Sequence, residues 1–196
     1  MNRITQLDPA EAAGKAKQLF DGVQAKLGVV PNLFRVLGNS PAALEGYLNF
    51  SSALAGGVLS SKVREQIALA VAEINDCEYC RSAHAYISGK VGLSDREIAD
   101  ARLATATDPR TAAILSLART LVVQRGTISN ADFSTARNAG LNDAEIIETV
   151  ANVALNIFSN YTNHVARTVV DFPAVKPIAT EIAKETCTTA GCGCGH

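Results

Sequence analysis

Helical periodicity is the feature that most constrains the fold of this chain. Apolar residues recur every three or four positions between helix-capping residues, whereas Val, Ile and Thr never alternate with polar residues for long enough to predict a strand. Two such apolar series are Ile114, Leu117 and Leu121, and Ile146, Val150, Val153 and Ile157. Capping residues precede the expected helices at Asp8, Ser40, Ser94, Asp108, Ser129 and Asn142. The sequence therefore predicts an all-α fold.

We expect eight helices, at about residues 9–27, 41–55, 61–75, 77–91, 95–104, 109–125, 130–139 and 143–170, with a weaker one near 175–185. Residues 28–40 form an apolar connection with at most one short helical turn. Residues 1–180 are predicted to form a single domain, since a chain of 196 residues can bury a core without disulfides. Residues 181–196 are rich in Cys and Gly and are predicted to be a flexible tail.

Charge and hydropathy exclude several classes of partner. The formal net charge of -1 gives no electrostatic reason to expect nucleic acid or an anionic membrane surface. The longest apolar runs, such as residues 67–72, are far shorter than a membrane span, and no basic region followed by an apolar one indicates a secretory signal. We therefore expect a cytoplasmic protein, and in that compartment a Cys-x-x-Cys motif is more often catalytic or metal-binding than structural.

One such motif, formed by Cys77 and Cys80, is followed by His84. Asn75 and Asp76 favour turns and caps, so the chain is predicted to reverse there and to fold residues 61–91 into a helical hairpin. Asp76 is then the expected N-cap of the second helix, on which the two cysteines and the histidine share one stripe.

The predicted hairpin brings a fourth chemical group within reach, because Glu65 on the first helix could face His84 on the second. Spacing alone leaves it equally open whether Glu65 is buried or forms the solvated end of its helix. Two thiols three residues apart on a helix can close a disulfide. The positive end of the helix favours a thiolate at Cys77, whereas the reach of His84 favours Cys80, so the residues alone do not decide which thiol attacks.

Other interpretations of these residues stay open. Two small buried cysteines and a hydrogen-bonded core histidine would need no chemistry. A zinc ion could be held by Cys77, Cys80, His84 and a fourth ligand, although no second Cys or His pair follows in the body of the chain. The same cluster could also belong to a metal-binding or redox-sensing protein that does not turn over.

Four stretches of the sequence resemble a known family. Residues 64–84 resemble the core motif of the alkylhydroperoxidase D-like branch of the carboxymuconolactone decarboxylase family. Residues 28–34, 160–166 and 171–173 are similar to segments of its uncharacterised, peroxidase-related members. The resemblance implies an all-α alkylhydroperoxidase D-like fold that forms homo-oligomers, namely trimers, hexamers or dimers. It also implies an antioxidant peroxidase or disulfide oxidoreductase that has no cofactor.

The resemblance implies a role for each residue of the cluster. Cys80 would be the attacking thiol, Cys77 the resolving thiol, His84 the base and Glu65 its carboxylate partner. The substrate would be a hydroperoxide, and a dithiol or lipoyl-type carrier would reduce the resulting disulfide. Tyr79 stands where the best-studied members have a second histidine, and a tyrosine cannot act as a base at neutral pH.

Two further regions carry residues capable of chemistry. The soft ligands Cys187, Cys192, Cys194 and His196 lie within the last ten residues. They are compatible with an inert end, with a thiol arm that passes electrons to the Cys-x-x-Cys motif, or with capture of a thiophilic metal ion. His164 lies among apolar residues of the predicted 143–170 helix and is expected to be a hydrogen-bonded core histidine.

Overall fold

The computed structural model describes residues 2–178, and within them the chain forms helices and no strands. The helices are α1 (Gly14–Leu27), α2 (Asn32–Leu37), α3 (Pro41–Ala55), α4 (Ser61–Ile74), α5 (Glu78–Lys90), α6 (Asp95–Arg102), α7 (Pro109–Val123), α8 (Asn130–Asn138) and α9 (Asp143–Ala166). The predicted all-α fold is confirmed. Within the described part of the chain, no helix has the length and apolarity needed to cross a membrane.

The two ends of the fold depart from the predicted helices. Asp8 does cap a turn, because its Oδ1 accepts from the Ala10 amide at 2.9 Å, but this turn ends before α1, whose first residue, Gly14, has a positive φ of 57°. The last long helix ends at Ala166 rather than near residue 170, since Arg167 adopts a left-handed conformation with φ 51°. Residues 175–178 are not helical, and the remainder of the helix expected near 175–185 lies outside the described residues.

Helix α4 is the centre of the fold. It packs against α5, α6, α7 and α9, and all residues from 66 to 72 are buried. Two apolar clusters lie beside it: one is built mainly from α4, α7 and α9, and the other joins α1, α2 and α3 to the start of α5. Each fully buried Leu, Val, Ile or Phe side chain contributes roughly 1.5–3 kcal/mol to folding. The Cys-x-x-Cys motif lies in the second cluster, so a packed core fixes its position.

Residues 168–178, which we call the C-terminal strap, cross back over the start of α5. The Asp171 carboxylate accepts a hydrogen bond from the backbone amide of Asn32 at 2.8 Å. Further along, the Val175 amide donates to the Ser82 hydroxyl at 3.1 Å. These contacts join the strap to α2 and α5 on either side of the motif.

A buried carboxylate holds the end of the strap. Glu73 accepts a hydrogen bond from Arg102 Nε at 2.9 Å and another from the Ile178 amide at 2.6 Å. Arg102 also donates to the Lys176 carbonyl at 2.6 Å, and Arg81 Nε donates to the Val175 carbonyl at 3.1 Å. Because the Glu73 side chain is only 5% exposed, removing its partners would leave a costly unpaired charge.

Candidate active site

The turn between α4 and α5 positions both cysteines, although in a different register from the predicted one. Asp76 is not the N-cap, because its left-handed φ of 49° reverses the chain, whereas an N-cap residue is extended. Cys77 takes that place, with φ -87° and ψ 98°, and its sulfur accepts a hydrogen bond from the Cys80 amide at 3.3 Å. The two side chains therefore meet within the first turn of α5, and both cysteines are reduced.

Helix α9 braces this turn. Asn75 donates through Nδ2 to Oδ1 of Asn160 at 2.9 Å, and His164 Nε2 donates to the Asn75 carbonyl at 2.8 Å. The prediction that His164 is a core residue is wrong: it is hydrogen-bonded but exposed, because it lies on the side of α9 that meets the turn rather than the core. The start of α5 is thus fixed by α9 as well as by α4.

Glu65 and His84 meet across α4 and α5. Oε2 of Glu65 lies 2.8 Å from Nδ1 of His84, and the side chains are 19% and 17% exposed, respectively. Burial lowers the pKa of His84, but the Glu65 charge and hydrogen bond, together with the nearby Cys80, raise it above its ordinary value. These interactions favour the protonated imidazole, with Nδ1 occupied by Glu65 and Nε2 left for another partner.

The surroundings of the buried Cys80 sulfur favour its thiolate form. Burial raises the pKa of Cys80, but its hydrogen bond with Cys77, the positive His84 and the amides of Asn163 and Asn160 lower it to about 6. Asn163 Nδ2 donates to the sulfur at 3.2 Å. The hydrogen bond with Cys80 and burial raise the pKa of Cys77, so the negative charge lies on Cys80 and the proton on Cys77.

An apolar cavity of about 210 Å³ opens over Cys80 and His84. Its aromatic residues are Phe34, Tyr47, Tyr79, Tyr86 and Phe172, of which the last belongs to the C-terminal strap. Because no charged residue other than the histidine lines it, the cavity suits an uncharged organic molecule.

Tyr79 does not act as a base in the place of a second histidine. Its hydroxyl accepts a hydrogen bond from the Leu33 amide at 3.1 Å, and its ring packs edge-on against Phe172 at 5.8 Å between centroids. Burial raises the pKa of this hydroxyl further above neutrality. Tyr79 therefore shapes the wall between α2 and the strap.

Sequence reasoning missed Tyr47, which contributes a hydroxyl group to the cavity. Its ring lies between Phe34 and Phe158, with centroids 5.8 and 6.1 Å away. Burial raises the pKa of its hydroxyl, and the negative charges of Cys80 and Glu65 raise it further, so the group stays protonated. No sequence signal marks this residue, because it lies on α3, far from the motif along the chain.

The described residues offer no cluster of ligands that would support the metal-binding interpretation. Among residues 2–178, no group of three or more His, Cys, Asp or Glu side chains is placed to hold a metal ion. The possible tail ligands Cys187, Cys192, Cys194 and His196 lie outside the described residues.

Comparison with known proteins finds similarity over the part of the chain that carries the site. Residues 41–123, from α3 to α7, match the model of the carboxymuconolactone decarboxylase family. A solved structure described as an alkylhydroperoxidase AhpD core, an uncharacterised peroxidase-related protein from Ralstonia eutropha JMP134, superposes with a TM-score of 0.75. The two sequences are 27% identical, and the match covers 87% of this chain and 92% of that chain. The family match spans less than half of the chain, and the chain has the alkylhydroperoxidase D-like helical fold of the solved structure.

Two more distant structures share the fold of this alkylhydroperoxidase D-like chain. An uncharacterised peroxidase-related protein from Silicibacter sp. TM1040 has 23% identity and a TM-score of 0.73, over 85% of this chain and 92% of that one. The debrominase Bmp8, solved with 2,3,4-tribromopyrrole, has 17% identity and a TM-score of 0.73, over 95% and 96%. No curated protein matches the chain.

Proposed function

We propose that this protein is a thiol-dependent peroxidase that reduces organic hydroperoxides with the dithiol of Cys77 and Cys80. One observation carries the proposal: Cys80 and His84 both line one apolar cavity, and their surroundings favour a thiolate beside a protonated imidazole. A thiolate is the nucleophile that peroxide reduction needs, and a protonated imidazole beside it can supply the leaving group with a proton.

The first step forms a sulfenic acid on Cys80. Its thiolate attacks the terminal oxygen of the hydroperoxide, the O–O bond breaks, and the alkoxide leaves with the proton of His84 Nε2 as an alcohol. Glu65 orients the His84 ring and keeps it basic enough to be protonated again. The Tyr47 hydroxyl, held protonated at the cavity wall, donates a hydrogen bond to the peroxide oxygen.

The second step closes the disulfide. The Cys77 sulfur attacks the sulfenic sulfur of Cys80, the S–O bond breaks, and the hydroxyl group leaves as water with the Cys77 proton. The two side chains already meet within one helical turn, so this step needs little movement. A dithiol or lipoyl-type carrier then reduces this disulfide by thiol–disulfide exchange, which restores both thiols and oxidises the carrier.

We also propose a homo-oligomer. Exposed apolar residues lie along one face of α9 at helical spacing, namely Ile147, Val150, Phe158, Tyr161 and Val165. A contiguous apolar face of this kind favours contact with a second copy. Sedimentation of the purified protein tests the oligomer, and a monomer at all concentrations would contradict it.

The function is tested by following cumene hydroperoxide with dihydrolipoamide as reductant, beside the same assay with hydrogen peroxide. We expect turnover that is faster with the organic peroxide, because the cavity around Cys80 is apolar. Cys80→Ser should abolish consumption, and equal rates for this variant and the parent would rule the assignment out. Oxidation that stops after one equivalent despite excess dihydrolipoamide would instead support a redox sensor.

A further inference from the structure

The two cysteines of the motif line different cavities. Cys80 lines the apolar cavity, whereas Cys77 lines a second, polar cleft of about 460 Å³. The cavity and the cleft share only Tyr79. Polar and charged residues surround the cleft, among them Asp76, Glu78 and Arg167, so it does not suit the apolar substrate that fits the cavity. A reductant that enters the cleft would meet Cys77 without passing through the cavity.

The C-terminal strap leads to this polar cleft. A neighbouring cleft of about 370 Å³ is lined by strap residues 174–177 and shares Asp76 and Glu78 with the first. The strap is fixed at its end, because the Ile178 amide donates to Glu73 at 2.6 Å. Cys187 follows Ile178 by nine residues, which span at most about 30 Å. The next thiols, Cys192 and Cys194, follow closely along the sequence.

We propose that the C-terminal thiols of the same chain, Cys187, Cys192 and Cys194, reduce the Cys77–Cys80 disulfide by attack on Cys77 through the polar cleft. The inference rests on the proposed function, since it concerns how the disulfide formed in peroxide reduction is removed. The tail would act as an internal electron donor, and a dithiol from solution would then reduce the tail disulfide.

The exchange balances in two steps. The Cys187 thiolate attacks the Cys77 sulfur, the bond to Cys80 breaks, and Cys80 leaves as a thiolate with the bonding electron pair. A thiol of Cys192 or Cys194, as its thiolate, then attacks the Cys187 sulfur, and Cys77 leaves and takes up a proton. The site has gained two electrons and the tail has become a disulfide.

The surroundings of the two sulfurs set the direction of attack. When Cys77 is attacked, the leaving group is Cys80, whose thiolate is stabilised by the Asn163 amide at 3.2 Å and by His84. Attack on Cys80 would expel Cys77, whose burial and surroundings disfavour a thiolate. A better leaving thiol leaves faster, so the geometry favours exchange at Cys77.

Tethering makes the reaction efficient. A thiol tied to the same chain near its target acts at an effective concentration in the millimolar range, with no new contact needed. Cys77 lines the cleft but is only 1% exposed, which excludes a bulky protein thiol more strongly than a thiol on a short peptide segment.

The stoichiometry of peroxide consumption without added reductant tests the proposal. The fully reduced chain is mixed with excess cumene hydroperoxide under argon, and consumption is counted. We expect about two equivalents per chain for the parent and about one for the variant in which Cys187, Cys192 and Cys194 are all replaced by Ser. Cys80→Ser controls for direct oxidation of the tail and should consume none in the same time.

The outcomes of this experiment are distinct. About one equivalent from both the parent and the triple variant would overturn the tail proposal while leaving the peroxidase assignment intact. No consumption by the parent would reject the proposed function itself.

A trapping experiment tests the sulfur that is attacked. With Cys192→Ser and Cys194→Ser combined, exchange stops at a mixed disulfide, and iodoacetamide alkylates the released Cys80 thiolate so that the reaction cannot reverse. Peptide mapping should then find a Cys187–Cys77 disulfide beside an alkylated Cys80, within a monomeric chain on a non-reducing gel. A Cys187–Cys80 disulfide, or covalent dimers, would overturn the proposal.

Discussion

Asn163 donates an amide hydrogen to the Cys80 sulfur across 3.2 Å, although 83 residues separate them in the sequence. One turn earlier on α9, Oδ1 of Asn160 accepts a hydrogen bond from Asn75, and its buried Nδ2 has no hydrogen-bond partner. A buried sulfur holds a negative charge only where donors and positive charge compensate for its lost hydration. Helix α9 thus completes a site whose thiols, imidazole and carboxylate lie on α4, on α5 and in the turn between them.

Replacing Asn163 by Ala should make the thiol less acidic. A hydrogen bond to a charged group contributes about 1.5–3 kcal/mol, so losing it should move the midpoint of Cys80 ionisation upward from about 6 by roughly one pH unit or more. The rate of iodoacetamide alkylation as a function of pH measures this midpoint, with Cys77→Ser as the shared background.

Asn152→Ala is the matched control for this variant. Asn152 is also a buried amide on α9, but it donates to the Glu148 carbonyl of its own helix at 2.7 Å. Asn152→Ala should leave the pH midpoint of alkylation unchanged, even if it lowers the melting temperature as much as Asn163→Ala does. An Asn163→Ala midpoint identical to that of the control would contradict the role of the amide.

Glu65→Gln should shift the pH dependence of the peroxidase reaction toward higher pH. In the parent, the pKa of Cys80 is lowered to about 6, so kcat/KM should rise with pH through that value and fall again at higher pH, where His84 loses its proton. Without the Glu65 charge, the pKa of His84 falls, so less of the imidazole is protonated at pH 7. The pKa of Cys80 then rises, because a neutral ring no longer stabilises the thiolate.

At pH 7 we expect kcat/KM of Glu65→Gln to fall about a hundredfold, within the range of general acid catalysis. Glu11→Gln, which alters an exposed carboxylate, should behave like the parent. A Glu65→Gln profile that falls in height but keeps its midpoint would show that the carboxylate only positions the ring.

Sequence patterns located the helices well because the signals that begin and end them are local. A capping side chain accepts a hydrogen bond from the backbone amide three residues later at Ser40, Ser94 and Asn142. The residue types at these positions predict such caps. The reversal beside Asn75 follows from the same kind of signal. Its register does not, because the left-handed conformation of Asp76 depends on how α5 docks against α4.

The donors around Cys80 could not be predicted in this way. Asn163 and Tyr47 reach the site only because α9 packs on α5 and α3 joins the same apolar cluster, and no local pattern states which helix faces which. Spacing left the burial of Glu65 undecided for the same reason, since only the packing of α5 against α4 places it against His84. The site residues on one hairpin were accessible to sequence reasoning, and those from other helices were not.

Tyr47→Phe should slow peroxide reduction without changing the thiol. The substitution keeps the ring between Phe34 and Phe158 and removes the hydroxyl at the cavity wall. Loss of a hydrogen bond to the developing oxyanion, about 1.5–3 kcal/mol, corresponds to a fall of roughly ten- to a hundredfold in kcat/KM. The iodoacetamide midpoint of Cys80 should not move.

Tyr86→Phe provides the comparison, because this tyrosine also lines the cavity but is 46% exposed. Removing its hydroxyl should leave kcat/KM within about twofold, as expected for a solvated group. Equal losses in the two variants would mean that Tyr47 contributes only to the general polarity of the cavity.

Gly38→Ala should destabilise the apolar cluster beneath the cavity. A Cβ at this position would lie 2.3 Å from Cζ of Phe20, a ring that is 1% exposed and has no room to retreat. Overpacking of this kind costs about 1–3 kcal/mol, which urea unfolding followed by circular dichroism can measure. Gly46→Ala in α3 is the matched control, since nothing lies within 4 Å of its Cβ. That change should stabilise the protein by about 0.5–1 kcal/mol through helix propensity, so shifts of the same sign in both variants would contradict the packing described for Phe20.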